Sequence, residues 1–197
     1  MKKLLVALAG VALVAPAALA DSEFSVVLQG GATHYTNALS SGSDTGAAYG
    51  ARLGMLPTPM LGIELGYLGT QNNINEDLSR SRFASTLKTN EGYGDVRVNI
   101  LPGGVTPYVF GGYGLTWVNG SAASGIPNSS TSTLPFGGGL DANIGDNFKL
   151  GGRFQYNYLF NKIYTGSTAG VTSAVSVDKG GNTDFWGVTV DLGASFR

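Results

Sequence analysis

The sequence predicts an all-β fold, an eight-stranded antiparallel up-and-down transmembrane β-barrel that follows a cleaved signal peptide. Three observations lead to this prediction. Apolar residues recur at every second position through eight segments, which is the period of a β-strand. The connections between the segments are alternately short and long, as in an up-and-down meander. Only 13% of the residues are charged while 31 of 197 are glycine, so the chain is poor in the side chains that coat a water-soluble surface.

The N-terminal segment differs in composition from the rest. A basic start at Lys2 precedes an apolar run at 4–14, and 18–20 is a small-residue cleavage pattern. These are the three parts of a secretory signal peptide, and the apolar run is too short for a spanning helix. We therefore predict a signal peptide at 1–20 and one exported outer-membrane barrel domain at 21–197.

The first four strands are defined by alternation and by the breaks between them. Pro57 and Pro59 end the second strand, the polar stretch 70–82 predicts a long loop after the third, and 102–104 is a Pro-Gly-Gly turn. In chain order the four predicted strands are Phe24–Thr33, Ala47–Leu56, Leu61–Tyr67 and Gly92–Ile100.

The last four strands follow the same rule. A Ser/Gly/Asn-rich loop reaches about Ser132, the Gly-Asp-Asn sequence at 145–147 is a hairpin turn, and a long loop covers about 162–182. The faces of the fifth strand are the least clear; we place Val109 and Trp117 together on its apolar face. In chain order these strands are Pro107–Trp117, Leu134–Ile144, Leu150–Phe160 and Phe185–Phe196.

The two faces of the strands predict which side meets lipid. A soluble lipocalin-like barrel would bury the apolar face, but its aromatic side chains would overfill an eight-stranded interior. If the polar face met lipid, each basic group near the midplane of the membrane would cost about 2–4 kcal/mol. The apolar face is therefore expected outside, with an ion-pair network in the lumen. The predicted network consists of Arg52, Glu64, Asp95, Arg97, Asp141, Lys149, Arg153 and Asp191.

Within this network the first pairs we expect are Arg153 with Asp141 and Arg97 with Glu64. A structural interpretation is that balanced charges fill and stiffen a closed barrel, because an unpaired buried charge is costly. The alternative interpretation is a narrow passive channel for ions or small solutes. Eight strands enclose little more than side chains, which favours the structural interpretation.

With these features the chain resembles the small outer-membrane barrels of the OmpA/OmpX type. The resemblance covers the mature chain and is carried by PYVFGGYGLTW, LPFGGGLDANIGDNFKLGGRFQYNYLF and FWGVTVDLGASFR in this order. It implies that both termini and the short turns lie in the periplasm and the long loops outside. It also implies a C-terminal insertion signal that the barrel-assembly machinery reads, matched here by Val190, Leu192, Ala194 and Phe196. Arg197 after Phe196 departs from the family pattern of an aromatic last residue.

Catalytic and ligand chemistry has little support in the residues. Some relatives of this type acylate or deacylate lipid A with a histidine and a serine, and the one histidine, His34, lies near the loop end of the first strand. No serine motif accompanies it, so we expect a rim residue, with a lipid A-modifying enzyme as the alternative. No cofactor or metal site is expected, and the near-zero net charge of −1 gives no electrostatic case for nucleic acid.

The sequence thus favours a non-enzymatic outer-membrane barrel with a structural or surface-interaction role. Its expected partners are outer-membrane lipid and lipopolysaccharide, and the barrel-assembly machinery during insertion. A monomer is favoured.

Overall fold

The computed structural model describes residues 22–36, 44–74, 85–120, 129–145, 147–160 and 184–196. They form eight antiparallel strands that close into one barrel in sequence order. Closure follows from the pairing of the first and last strands, which runs from Phe24 opposite Phe196 to Tyr35 opposite Phe185. The strands are β1 Glu23–Tyr35, β2 Gly46–Leu56, β3 Leu61–Ile74, β4 Ser85–Asn99, β5 Val105–Gly120, β6 Ser129–Ile144, β7 Phe148–Leu159 and β8 Phe185–Phe196.

The predicted eight-stranded meander is confirmed. Short connections at 57–60 and 100–104, together with the one that Gly145 begins after β6, gather at one end of the barrel, called the turn end here, and the other end is called the loop end. Gly145 has a φ of +68°, which a glycine adopts without a steric penalty. No helix with the length and hydropathy of a membrane span occurs among the described residues. The predicted signal peptide at 1–20 lies outside the described residues.

The strands differ from the prediction in length, mainly at the loop end. β3 continues to Ile74 and β4 begins at Ser85, whereas the sequence predicted a loop at 70–82 and a fourth strand from Gly92. β5 and β6 are also longer, and reach Gly120 and Ser129. The prediction of a loop was wrong there because outward positions become polar above the apolar band, so the apolar alternation stops although strand pairing continues.

The assignment of faces is confirmed for all eight strands, including β5. Large apolar side chains on the outside are exposed, with Leu28 at 63% and Val190 at 63%, while Arg52 and Arg153 on the inside are each 2% exposed. Of the 13 charged residues in the described ranges, only Asp44 and Lys88 are exposed. A fold that hides its charges and exposes its leucines is stable only where the surrounding solvent is apolar.

Glycine makes room for inward aromatic rings. A Cβ atom built on Gly66 would overlap the ring of Tyr93 from the neighbouring strand, and one on Gly139 would overlap the ring of Tyr108. These rings lie flat over bare backbone, so the narrow interior accommodates them beside the arginines.

Candidate functional site

The middle of the lumen is filled by three arginines that converge on one carboxylate. Arg52, Arg97 and Arg153 point inward from β2, β4 and β7. The Glu64 carboxylate accepts Arg52 Nε at 3.3 Å, Arg97 Nη1 at 3.3 Å and Arg153 Nη1 at 2.8 Å. Because Glu64 is the longest acidic side chain at this level, its carboxylate reaches the centre of the lumen.

Each arginine also has an aspartate of its own. Arg52 Nη2 lies 2.9 Å from Asp191 Oδ2, and Arg97 Nη1 lies 2.6 Å from Asp141 Oδ2. Arg153 Nη2 lies 2.5 Å from Asp95 Oδ2. Three cations thus face four carboxylates. We call these residues the Glu64 network, which consists of Arg52, Arg97, Arg153, Glu64, Asp95, Asp141 and Asp191.

Aromatic rings cover two of the guanidinium groups. The Arg97 guanidinium carbon lies 3.6 Å from the centre of the Tyr108 ring, and that of Arg153 lies 3.3 Å from the centre of the Phe110 ring. Such stacking stabilises a cation that has lost its water. The sequence assigned Tyr108 and Phe110 to the inner face of β5, but it did not identify their partners.

Two of the predicted contacts need correction. Arg153 does not pair with Asp141; it reaches across the lumen to β3 and β4, because the residue directly opposite it on β6 is Gly139. Lys149 is separate from the Glu64 network and pairs with Glu23 at the turn end. The expected contact between Arg97 and Glu64 is present.

The sequence missed two inward acidic residues. Glu23 and Glu91 are both buried, but they precede the predicted starts of their strands at Phe24 and Gly92. The two-residue period, extended one position earlier in each strand, would have placed both inside.

Above the Glu64 network the lumen is closed by an apolar layer at the loop end. Tyr35 and Phe185 have ring centroids 5.5 Å apart, and the Tyr35 hydroxyl is 2.5 Å from Thr89 Oγ1. Buried polar side chains lie beside these residues, since Glu91, Asn72 and Thr89 are the cross-strand partners of Leu68, Leu87 and Val118. The apolar layer consists of Tyr35, Leu68, Leu87, Val118, Leu159 and Phe185.

The turn end has a small polar vestibule. A cavity of about 80 Å³ lies there, and Asn99, Asn143, Lys149 and Asp141 are among the residues that line it. Its inner wall includes Arg97 of the Glu64 network. The vestibule is large enough for a few water molecules.

The outer face changes polarity along the strands. Tyr67, Gly92, Leu115 and Ser132 are consecutive cross-strand partners on β3–β6 and form one outward row. Two rows nearer the loop end, the outward partners are Gln71, Lys88 and Asn119. Leu87 and Val118, which alternate with these polar residues, are buried inside. The lower barrel is therefore apolar outside and charged inside, whereas the upper part is polar outside and mixed inside, where the apolar layer lies among buried threonines, amides and Glu91.

His34 lies on the outer face at the loop end, where its ring centroid is 5.9 Å from that of Trp186. Serines that follow His34 in the sequence, such as Ser40, Ser41 and Ser43, lie outside the described residues. No group of three or more metal-ligating side chains occurs in the described ranges.

The four residues of the predicted insertion signal lie together on the outer face of β8. Val190, Leu192 and Phe196 are exposed and Ala194 is half-buried. Their role in insertion stays a prediction.

Closure of the sheet, the apolar outer band and the charged interior define an integral membrane β-barrel. Residues 4–197 match the family model described as outer membrane protein beta-barrel domain, and the chain belongs to this family. It is therefore an outer-membrane barrel protein. No curated protein matches the chain.

Solved structures share the fold at low sequence identity. The crystal structure of Neisserial surface protein A has 15% identity and a TM-score of 0.62, with 88% of this chain and 96% of that one covered. A major outer membrane protein from Thermus thermophilus has 16% identity and a TM-score of 0.59, with 89% and 99% covered. Ail, the attachment invasion locus protein of Yersinia pestis, has 15% identity and a TM-score of 0.56, again with 89% and 99% covered.

Proposed function

We propose that this chain is a non-enzymatic barrel with a closed lumen, which anchors its loops at the outer surface of the cell for contact with lipopolysaccharide or with other surfaces. The observation that carries the proposal is the double closure of the lumen. The Glu64 network fills the middle, and the apolar layer closes the loop end. An ion that entered from the turn end would have to displace buried ion pairs and then pass the closely packed side chains at the loop end, where Tyr35 and Phe185 are fully buried.

The names of the proteins with similar structures support a surface role. One is a surface protein and another is an attachment and invasion protein, which was also crystallised with the heparin analogue sucrose octasulfate. Insertion by the barrel-assembly machinery through the end of β8 and a monomeric state complete the proposal.

Catalysis is the less favoured alternative. A histidine that acts as general base needs its nucleophile within hydrogen-bond reach. His34 instead packs against Trp186 on the membrane side, as a rim residue would.

The test of the closed lumen is planar-bilayer recording of the full-length chain. Folded protein is first identified by its faster migration on a gel when it is not boiled. We expect no stepwise currents above baseline from the wild type. Arg153→Leu should lower heat resistance yet stay silent, because the apolar layer remains. Regular single-channel steps from folded wild-type protein would contradict the proposal and favour the passive channel.

A further inference from the structure

A polar surface lies on the outer wall of β3–β6 at the loop end. The row formed by Gln71, Lys88 and Asn119 is exposed. Lys88 is the direct cross-strand partner of both Gln71 and Asn119. The row beneath it contains Trp117, which is exposed, and its cross-strand partners Asn90 and Ser130. We call these eight outward residues the polar wall: Gln71, Asn73, Thr86, Lys88, Asn90, Asn119, Ser130 and Ser132.

The polar wall has the chemistry that binds sugars. A side-chain amide offers both donors and an acceptor, so it can hydrogen-bond to neighbouring hydroxyl groups of a sugar. The indole of Trp117, which lies among these residues, can pack against the apolar face of a sugar ring. Lys88 adds one compact positive charge, which suits a phosphate. A polysulfated chain or a nucleic acid would demand many cations, and Lys88 is the one exposed cation of the described residues.

The position of the polar wall identifies the molecule that meets it. Tyr67 and Leu115, in the outward row that forms the lower edge of the polar wall, belong to the apolar band that faces lipid. The first chemical layer beyond the hydrocarbon is the headgroup layer of the same leaflet. We propose that Gln71, Lys88 and Asn119 bind the phosphorylated sugar headgroup of an outer-leaflet glycolipid of the lipopolysaccharide type. This inference rests on the proposed function, in which the loop end faces outward.

The polar wall is held rigid before any ligand arrives. The Tyr67 hydroxyl donates to Asn90 Oδ1 at 2.6 Å, and the hydroxyls of Tyr113 and Ser132 are 2.6 Å apart. The continuous β3·β4 ladder and the buried side chains of Leu87 and Val118 support the wall from behind. A preformed surface binds with a smaller loss of conformational entropy.

The test is native mass spectrometry of the full chain released from detergent micelles that contain one of three lipids. The lipids are a lipopolysaccharide with core sugars, the same lipid without them, and phosphatidylglycerol. The combined variant Gln71→Ala, Lys88→Ala and Asn119→Ala should retain the sugar-bearing lipid about tenfold less than wild type, because three polar contacts are lost. Phosphatidylglycerol offers a phosphate to Lys88 but no sugar ring, so the combined variant should lose much less of it than of the sugar-bearing lipid. Asn143→Ala, which removes an exposed amide at the turn end, should behave like wild type.

Two further variants separate phosphate from sugar. Lys88→Ala alone should weaken binding of both phosphorylated glycolipids, whereas Gln71→Ala with Asn119→Ala should weaken only the form with core sugars. The inference is overturned if the combined variant, shown to be folded by its gel migration, binds like wild type. It is also overturned if phosphatidylglycerol is lost in parallel or if the wild type does not distinguish the two glycolipids. Failure here leaves the bilayer recording unaffected, since a silent barrel need not bind sugar.

Discussion

Glu64 contacts three arginines that reach it from β2, β4 and β7. Glu64→Gln keeps the shape of the side chain but leaves three buried cations with three aspartates. Each arginine keeps its aspartate, but the amide is a weaker acceptor than the carboxylate for three buried guanidinium groups, so we expect a cost of about 1.5–3 kcal/mol. We expect the free energy of unfolding, measured by urea titration in lipid vesicles, to fall by this amount.

The matched control for Glu64 is Lys88→Gln, which removes a charge from an exposed side chain and should change stability by less than about 0.5 kcal/mol. Equal urea midpoints for Glu64→Gln and Lys88→Gln would show that the network does not hold the barrel together.

Gly66 lies beneath the ring of Tyr93, so a methyl group there has no space. Gly66→Ala should destabilise the barrel by about 1–3 kcal/mol, because Tyr93 must move in a packed interior. Gly30→Ala is the control, since within the described part of the chain no heavy atom lies within 4 Å of a Cβ built there. Thermal unfolding followed by gel migration measures both; a neutral Gly66→Ala would contradict the packing described.

The loop-end parts of β4 and β5 each bury an apolar side chain, Leu87 and Val118, beside outward residues that are polar. Leu87 is buried and its neighbour Lys88 is exposed. Leu87→Asn should therefore cost about 2–5 kcal/mol through lost packing and a buried amide, while Lys88→Asn should be nearly neutral. Hydrogen exchange should rise at 85–90 in Leu87→Asn and stay unchanged at the turn end. Similar exchange in both variants would mean that the upper strands lack an apolar interior.

The same strands show what the sequence could predict. Alternation gave the faces of β4 and β5 correctly as far as the apolar band extends. It failed at Gln71 and Lys88. A strand whose outward residues are polar has no apolar alternation, so its sequence cannot be distinguished from that of a polar loop. The register explains the extension, since β3 and β4 stay paired to Ile74 and Ser85.

At the scale of the whole molecule, the inward charges were predictable but their partners were not. The period of two placed Arg153 and Asp141 on the same inner face. Which aspartate Arg153 meets depends on strand tilt and on the reach of a long side chain across the lumen, and neither property is local. The nearest cross-strand candidate was therefore wrong, and Asp95 on the far wall is the partner.

Lipid should surround the lower barrel, and the upper boundary of the lipid should lie within β5. The chain has no cysteine, so single spin labels can be placed at Leu115→Cys, Thr116→Cys and Asn119→Cys in vesicles. Collision rates with oxygen, which concentrates in lipid, and with a water-soluble nickel complex report each environment. We predict that the label at position 115 collides mainly with oxygen and the label at 119 mainly with the nickel complex. The label at 116 should collide little with either. Strong nickel access at 115, or oxygen preference at 116, would contradict the account.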